Sequence, residues 1–355
     1  MFSTDKLWNE ISAFSDAALI FSEENRRYFT QFPSSDGALL VYGGKAVFFT
    51  DSRYTEAAAK CIGGENVIDS SNLYEKLGKI FGENGVKTVA VENNKLTLAE
   101  FDELKNKLSD IEFNTSSDLA DAIERIRIVK EDSETEKIKA AQRIAEDAFS
   151  HILTFIKEGM TEKEIALELD FYMLSHGAEA VSFETIAVAG ANSSMPHGVP
   201  GEYRIQKGDF ITLDFGATVD GYHSDMTRTV CLGEPSEKQK EVYEVVLKAQ
   251  TAALEALRDG ITGVEADKIA RDIIEEAGYG KSFGHGLGHG VGVEIHESPR
   301  LSPKAPHTLK SGNVVTVEPG IYLPGEFGVR IEDMAIITDD GCINLTSCKK
   351  ELIIL

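Results

Sequence analysis

The chain has 355 residues, 42% of them hydrophobic, which suffices for about two domains with sizeable cores and excludes a disordered or fibrous protein. Its 59 Asp and Glu against 36 Lys and Arg give a formal charge of −23, and no basic run offsets it, which argues against nucleic acid or anionic lipid as a partner. The N-terminus lacks a basic region followed by an apolar core, and no stretch reaches about 18 uninterrupted apolar residues, so neither membrane insertion nor export is expected and the cytoplasm is the expected location.

Residues 1 to about 115 alternate β-rich runs with helical ones. Ala17 to Phe21 reads as a strand, Ala38–Tyr42 and Ala46–Thr50 as a hairpin closed by Gly43-Gly44-Lys45, and Thr88 to Glu92 as a further strand. Helical spacing places Leu73, Leu77 and Ile80 on one face, and repeats in Leu98, Phe101, Leu104 and Leu108. This first part is a mixed α/β domain without evident chemistry. Charged helices follow over 118–127 and 132–158, with the domain boundary placed near Glu131, so that residues 1–130 form one domain with its linker helix and 131–355 the other. Thr161-Glu-Lys-Glu164 is a capping box opening a helix to about Ser175, and long helices recur over 236–258 and 264–277. Between and after them lie strand-like, glycine-rich segments over 183–190, 209–231, 283–297, 312–323 and 327–337. The second domain is therefore expected to be α+β, with helices covering one antiparallel sheet. Cys61, Cys231, Cys342 and Cys348 are scattered without a Cys-x-x-Cys pair and read as reduced, packed thiols.

Five of the eight histidines fall between positions 197 and 296, among isolated acids in apolar strands. Asp220-Gly221 is a strong two-residue turn signal, because both central positions tolerate positive φ. A two-residue loop there sets Asp214 opposite Thr227 and makes Asp214 and Asp225 diagonal neighbours on one face. Two carboxylates aimed at one another in apolar strands repel, and a cation resolves the conflict. The segment Phe283 to Glu297 adds His285, His289 and His296 among glycines, but it fits no dinucleotide fingerprint, and Glu275 stands where a P-loop before Gly280-Lys281-Ser282 requires glycine. Glu318 ends the apolar strand Val314–Val317, and Glu332 follows Arg330 by two positions, hence on the same face. Taken singly, each acid has an ordinary salt-bridged or solvated reading. Four carboxylates with one imidazole suit two divalent first-row ions, and the excess of oxygen favours Mn²⁺, Fe²⁺ or Co²⁺ over a thiolate zinc site. Two such ions activate water and polarise a carbonyl or phosphoryl oxygen.

The ordered series Asp214, Asp225, His289, Glu318, Glu332, in the contexts LDFG, SDMTR, GHGLGHGVG, VEPG and RIED, closely resembles the dinuclear metallopeptidases that include methionine aminopeptidase, aminopeptidase P and prolidase. The likeness covers about residues 130 to 355, and the part before it resembles the creatinase-type N-terminal domain of the Xaa-Pro branch. It implies a pita-bread catalytic domain that hydrolyses the bond between an N-terminal residue and proline. It further implies that Asp214 chelates one metal, Asp225 and Glu332 bridge two, and His289 with Glu318 hold the other, the pair being Mn²⁺ first, with Co²⁺, Fe²⁺ or Zn²⁺ left open. Glu318 also matches the family's general acid/base, and His197 and His296 its two histidines that bond substrate and oxyanion. His285 and Arg330 match further family residues on the substrate side, His285 with a structural hydrogen bond as its alternative and Arg330 as the group that orients a bridging carboxylate. Arg300, from its own place after His296, reads either as the receiver of a free proline carboxylate or as a solvated loop arginine. His223, on the face opposite Asp225, is read as packed or exposed. Peptides with proline second are the expected partners, and a homodimer the expected assembly. Three readings compete: a methionine aminopeptidase-like or other N-terminal exopeptidase, a creatinase-like enzyme that does without metals, and a non-catalytic peptide-binding homologue. The intact ligand set speaks against the last two.

Overall fold

Glycine-closed hairpins and unbroken apolar runs shape the first part of the chain. The computed structural model describes residues 1–355, which divide into two compact units, Met1–Arg127 and Ile128–Leu355. The first unit holds strands β1 (Ala17–Ile20), β2 (Ala38–Tyr42), β3 (Lys45–Thr50), β4 (Val67–Asp69), β5 (Thr88–Val91) and β6 (Glu112–Asn114). They form one mixed sheet in the order β4-β3-β2-β1-β5-β6. Its helices are α1 (Thr4–Ile11), α2 (Glu23–Thr30), α3 (Thr55–Ile62), α4 (Leu73–Asn84), α5 (Leu98–Lys107) and α6 (Asp118–Ile128). The β2–β3 turn pairs Tyr42 with Lys45 across Gly43 and Gly44, whose φ values of 53° and 73° only glycine adopts freely. Strands β1 and β2 are buried along their whole length, so they read as continuous apolar runs rather than alternating ones. Leu77 and Phe81 of α4 and Leu104 of α5 pack on Leu19, Leu40 and Val89.

The second unit contains the helices α7 (Asp132–Phe155), α8 (Glu162–Ser175), α9 (Glu237–Ala256) and α10 (Gly263–Glu276). Capping boxes open the last three, at Thr161 with Glu164, Ser236 with Gln239 and Thr262 with Glu265. Six strands lie between the helix pairs: β7 (Ala180–Val181), β8 (Ile186–Ala189), β9 (Phe210–Phe215), β10 (Ala217–Val219), β11 (Tyr222–His223) and β12 (Met226–Cys231). Seven follow: β13 (Gly288–Gly290), β14 (Glu297–Leu301), β15 (Val314–Val317), β16 (Gly320–Leu323), β17 (Phe327–Arg330), β18 (Asp333–Ile337) and β19 (Cys342–Asn344). One core forms where α7 and α8 cover β8, β9 and β12, and another where α9 and α10 cover β14, β15, β17 and β18. No helix is long and apolar enough to cross a membrane.

The single antiparallel sheet expected for this unit is instead four ladders, β12-β9-β8, β11-β10-β7, β14-β13-β15-β18-β19 and β16-β17. The breaks have local causes. A Cβ at Gly216 would run into the Ser224 carbonyl, so only glycine lets the chain turn from β9 into β10 there. Pro319 cannot donate to a ladder and separates β15 from β16. The 283–297 segment is strand only over β13 and at Glu297, where β14 begins, with a register shift between His289 and Gly290. The turn at Asp220-Gly221 has the expected two-residue form, with φ 48° and 81°, and pairs Val219 with Tyr222 and Asp214 with Thr227.

Candidate active site

Every acid of the cluster stands at or beside the end of a strand, where the side chain leaves the ladder and enters one cleft. Asp214 is the penultimate residue of β9, Asp225 immediately precedes β12, Glu318 follows β15 and Glu332 precedes β18, while His289 is the middle residue of β13. The cleft measures about 1090 Å³, and all ten residues singled out in the sequence line it: Asp214, Asp225, His289, Glu318, Glu332, His197, His285, His296, Arg300 and Arg330. Ligand atoms of Asp225, His289 and Glu332 lie within 4.8 Å of one another. His289 Nε2 is 3.2 Å from Glu318 Oε1 and 3.5 Å from Asp225 Oδ2.

The hydrogen bonding around this cluster is incomplete in a particular way. His289 Nδ1 lies 3.1 Å from the Gly290 carbonyl and donates to it, so the Nε2 lone pair of a neutral ring faces two carboxylate oxygens. Acceptor against acceptor is repulsive unless a proton or a cation lies between them. Asp214 Oδ1 and Glu332 Oε1 are buried and have no partner at all. Such an orphan is costly in an interior and is resolved by a group that accepts lone pairs from several sides. Burial pushes the Asp225 carboxyl well above the usual range, and the neighbouring Asp214 and Glu318 add to it. Glu332 is raised by burial and then by Asp225, and Asp214 by burial against the pull of Arg330. Glu318 is the exception: burial pushes it up, but when a proton rather than a cation lies on His289 Nε2 that ring bonds and attracts it strongly enough to bring it down to about 2. Four carboxylates, one imidazole and two orphaned oxygens fit a pair of divalent cations, and a purely protein-based arrangement leaves them unsatisfied.

Neighbouring side chains hold the ligands in place. Arg330, 3% exposed, directs Nη2 to Asp214 Oδ2 at 2.6 Å, Nε to the Thr227 hydroxyl at 3.1 Å and Nη1 to the Tyr322 hydroxyl at 2.8 Å. Its donors are therefore spent on the protein, and its carboxylate partner is Asp214 rather than one of the two acids expected to bridge. Thr227 donates in turn to Glu332 Oε2 at 2.6 Å, and Thr316 donates to Glu318 at 3.1 Å while accepting from the His289 amide at 3.0 Å. The Tyr322 hydroxyl donates to His285 Nε2 at 2.9 Å, and His285 Nδ1 donates to the Gly286 carbonyl at 2.8 Å, so both ring nitrogens are engaged within the protein. Asp267 and Arg271 fix the backbone of this stretch: Asp267 Oδ1 accepts from the Leu287 amide at 3.0 Å, and Arg271 donates to the carbonyls of Phe283 and His285.

At the mouth of the cleft His197, His296 and Arg300 are exposed. The His296 ring meets His289 edge to face at 4.4 Å, and burial, then the neighbouring His289, bring its pKa down to about 4, so it is neutral at ordinary pH. His223 lies outside the cleft, with Nδ1 2.8 Å from the Ser182 hydroxyl. Thr227, Thr316 and the Asp267–Arg271 pair were not singled out in the sequence. For the threonines a signal existed: each stands two positions from a cluster acid, which in a strand means the same face. Asp267 and Arg271 lie on a separate helix, and nothing in their spacing points to the cleft.

A two-layer unit whose strands aim acids and an imidazole into a common cleft defines a metal-dependent hydrolase. The sequence matches the metallopeptidase family M24 over residues 136–339 and the creatinase/prolidase N-terminal domain over 12–129. The chain belongs to metallopeptidase family M24, and its catalytic unit has the pita-bread fold. It is similar to an uncharacterized peptidase of Bacillus subtilis, 45% identical over 341 residues and 96% of each chain. It is likewise similar to an Xaa-Pro dipeptidase of Pyrococcus horikoshii, 40% identical over 344 residues, 95% of this chain and 94% of the other. Among solved structures, an Xaa-Pro dipeptidase from Bacillus anthracis superposes with a TM-score of 0.95 at 43% identity, covering 99% of each chain. An X-Pro aminopeptidase from Thermotoga maritima superposes at 0.90 and 38% identity, covering 96% of this chain and 98% of the other.

Proposed function

We propose that the chain hydrolyses the bond between an N-terminal residue and proline in short peptides, Xaa-Pro dipeptides included. The observation that carries this reading is the convergence of Asp225, Glu318 and Glu332 on His289, with orphaned oxygens on Asp214 and Glu332. The substrate class is supported by relatives named for Xaa-Pro cleavage that share 40% and 43% identity over nearly the whole chain. Asp214, Asp225, His289, Glu318 and Glu332 would hold two divalent ions, with Mn²⁺ favoured by the oxygen-rich donor set. Bound there, such ions lower the pKa of water toward neutrality and polarise a carbonyl oxygen.

An Xaa-Pro bond leaves through a ring nitrogen that carries no N–H, so that nitrogen must gain a proton as it departs. Glu318, on the same cleft, would take a proton from the attacking water and pass it to that nitrogen. Neutral His296 offers an N–H to the oxyanion that forms on the carbonyl, and His197 stands on the same cleft to bond the substrate. Arg300, exposed at the mouth, suits the free carboxylate of a dipeptide. His285 and Arg330, with their nitrogens engaged by the protein, serve the site by holding Tyr322 and Asp214. Four unpaired thiols support a reducing, cytoplasmic setting. The exposed Leu167, Phe171 and Leu174 on α8 support a homodimer.

The test is hydrolysis of an Xaa-Pro dipeptide and an Xaa-Pro-Yaa tripeptide by metal-stripped protein before and after adding Mn²⁺, Co²⁺ or Zn²⁺, beside a Met-Ala peptide. Metal-dependent release of the first residue from the proline peptides is expected. Cleavage of Met-Ala alone, or no cleavage with any metal, contradicts the reading.

A further inference from the structure

His197 stands on a segment without helix or strand from Met195 to Glu202, with its ring exposed at the cleft. The backbone must therefore fix its place. The loop leaves β8 at Ala189 and returns at Gly201, beside the first turn of α8. There Glu162, 1% exposed, turns its carboxylate into the base of the loop. Glu162 Oε1 accepts from the Ala189 amide at 2.7 Å and from Asn192 Nδ2 at 3.0 Å, and Oε2 accepts from the Gly201 amide at 3.0 Å. One side chain thus binds both ends of the loop. The free amides of the helix start complete the clamp, Glu162 N donating to the Tyr203 carbonyl and Lys163 N to that of Gly201. On the far side the loop meets the metal-ligand framework, where Ser193 accepts from the Gly328 amide at 2.9 Å and Arg330 Nη1 donates to the Pro196 carbonyl at 3.3 Å. Glu162 itself does not line the cleft.

We propose that Glu162 is a positioning residue for peptide hydrolysis: its buried carboxylate ties Ala189 to Gly201 and so sets where His197 stands against the substrate. The proposal rests on the reading of His197 as a group that contacts the substrate. A carboxylate is the side chain this task requires. It accepts only, it spans two donors with two oxygens, and its bonds to N–H groups are charge-assisted. A buried charge is retained only where it is fully bonded, and the first turn of a helix favours a negative one. Glutamine at 162 would set an amide N–H₂ against one of the loop's own N–H donors, and aspartate is one methylene too short to reach both ends.

The experiment is a double-mutant cycle on an Xaa-Pro dipeptide in the metal-loaded enzyme, with Glu162→Gln, His197→Ala and the pair together. Glu162→Gln is expected to lower kcat by about 10²-fold, the size of a displacement of about 1 Å, with KM little changed. In the His197→Ala background the same substitution should cost no more than about twofold, because its effect runs through the histidine. Bound metal, measured by elemental analysis, should be the same in all variants. Asn192→Ala removes one of the three bonds and is expected to cost about two- to tenfold in kcat, again only while His197 is present; it decides the matter if Glu162→Gln fails to fold. An equal loss with and without His197, or a rise in KM at constant kcat, overturns the proposal. An unchanged kcat/KM in His197→Ala alone overturns the reading of His197 on which it stands.

Discussion

Glu92 in the first unit and Glu332 in the second are both 1% exposed, and their surroundings are opposite. Glu92 accepts from the amides of Phe21 and Ser22, the Ser22 hydroxyl and Asn25 Nδ2, at 2.6 to 3.0 Å, so its charge is fully bonded. Glu332 has one donor, Thr227, an oxygen with no partner, and three other acids nearby. Even its neighbour Asp333 differs, receiving Arg228, Gln250, Lys350 and Asn344 on a side chain with no exposure at all. A buried acid with every lone pair taken belongs to the scaffold, and one left short among other acids belongs to a site for a cation.

Breaking each region in turn should separate these roles. Asp225→Asn is expected to abolish peptide hydrolysis while raising, not lowering, the melting temperature of metal-free protein, because it removes an acid that burial and its neighbours make costly to ionise. Glu92→Ala should leave kcat per folded molecule unchanged and cost about 3 kcal/mol of stability in denaturant unfolding, since it strands several buried donors. A metal-free Asp225→Asn protein that melts well below the parent contradicts the contrast. His296→Ala should lower kcat by about 10² to 10³, measured at saturating dipeptide. Arg330→Lys cannot reach Asp214, Tyr322 and Thr227 together, and a loss of about 10- to 100-fold in metal affinity by calorimetry is expected. Arg300→Ala should raise KM for a dipeptide by about tenfold, the worth of a charge-assisted hydrogen bond, and leave a tripeptide unaffected; equal effects on both contradict a carboxylate-binding role.

The smallest effect concerns pH. In metal-free protein burial and then neighbouring acids hold Asp225 and Glu332 well above the usual carboxylate range. The folded state then keeps protons that the unfolded chain has released, so this contribution to stability is whole below a pH of about 4 and fades as pH rises through the raised values. Metal takes the place of those protons. Added Mn²⁺ should therefore raise the melting temperature more near pH 8 than near pH 5.5, whereas an equal rise at both contradicts the assignment.

Much of the site was legible because its acids break strand patterns, and because Asp220-Gly221 dictates the register that sets Asp214 beside Asp225. Helix α8 was legible through Thr161-Glu-Lys-Glu164, whose cap has a fixed sequence form, whereas the equivalent caps at Ser236 and Thr262 were passed over. What was hidden depends on contacts far apart in sequence. Thr227 reaches Glu332 across 105 positions and Glu162 reaches Asn192 across 30, and neither threonine nor a helix-start glutamate is unusual where it stands. The division into separate ladders was missed because it turns on backbone clearance at Gly216, which no periodicity reports. Helix α2 was not named in advance because Glu23–Thr30 is mostly polar, and its ordered start depends on Glu92.

Equilibrium binding of Mn²⁺ to stripped protein, followed by electron paramagnetic resonance, tests the central claim most directly. Two ions per chain with a spin-coupled signal, reduced or lost in Glu332→Gln and intact in Glu92→Gln, is the predicted result. No bound ion, or binding unaffected by Glu332→Gln, would mean that the converging acids are not a metal site.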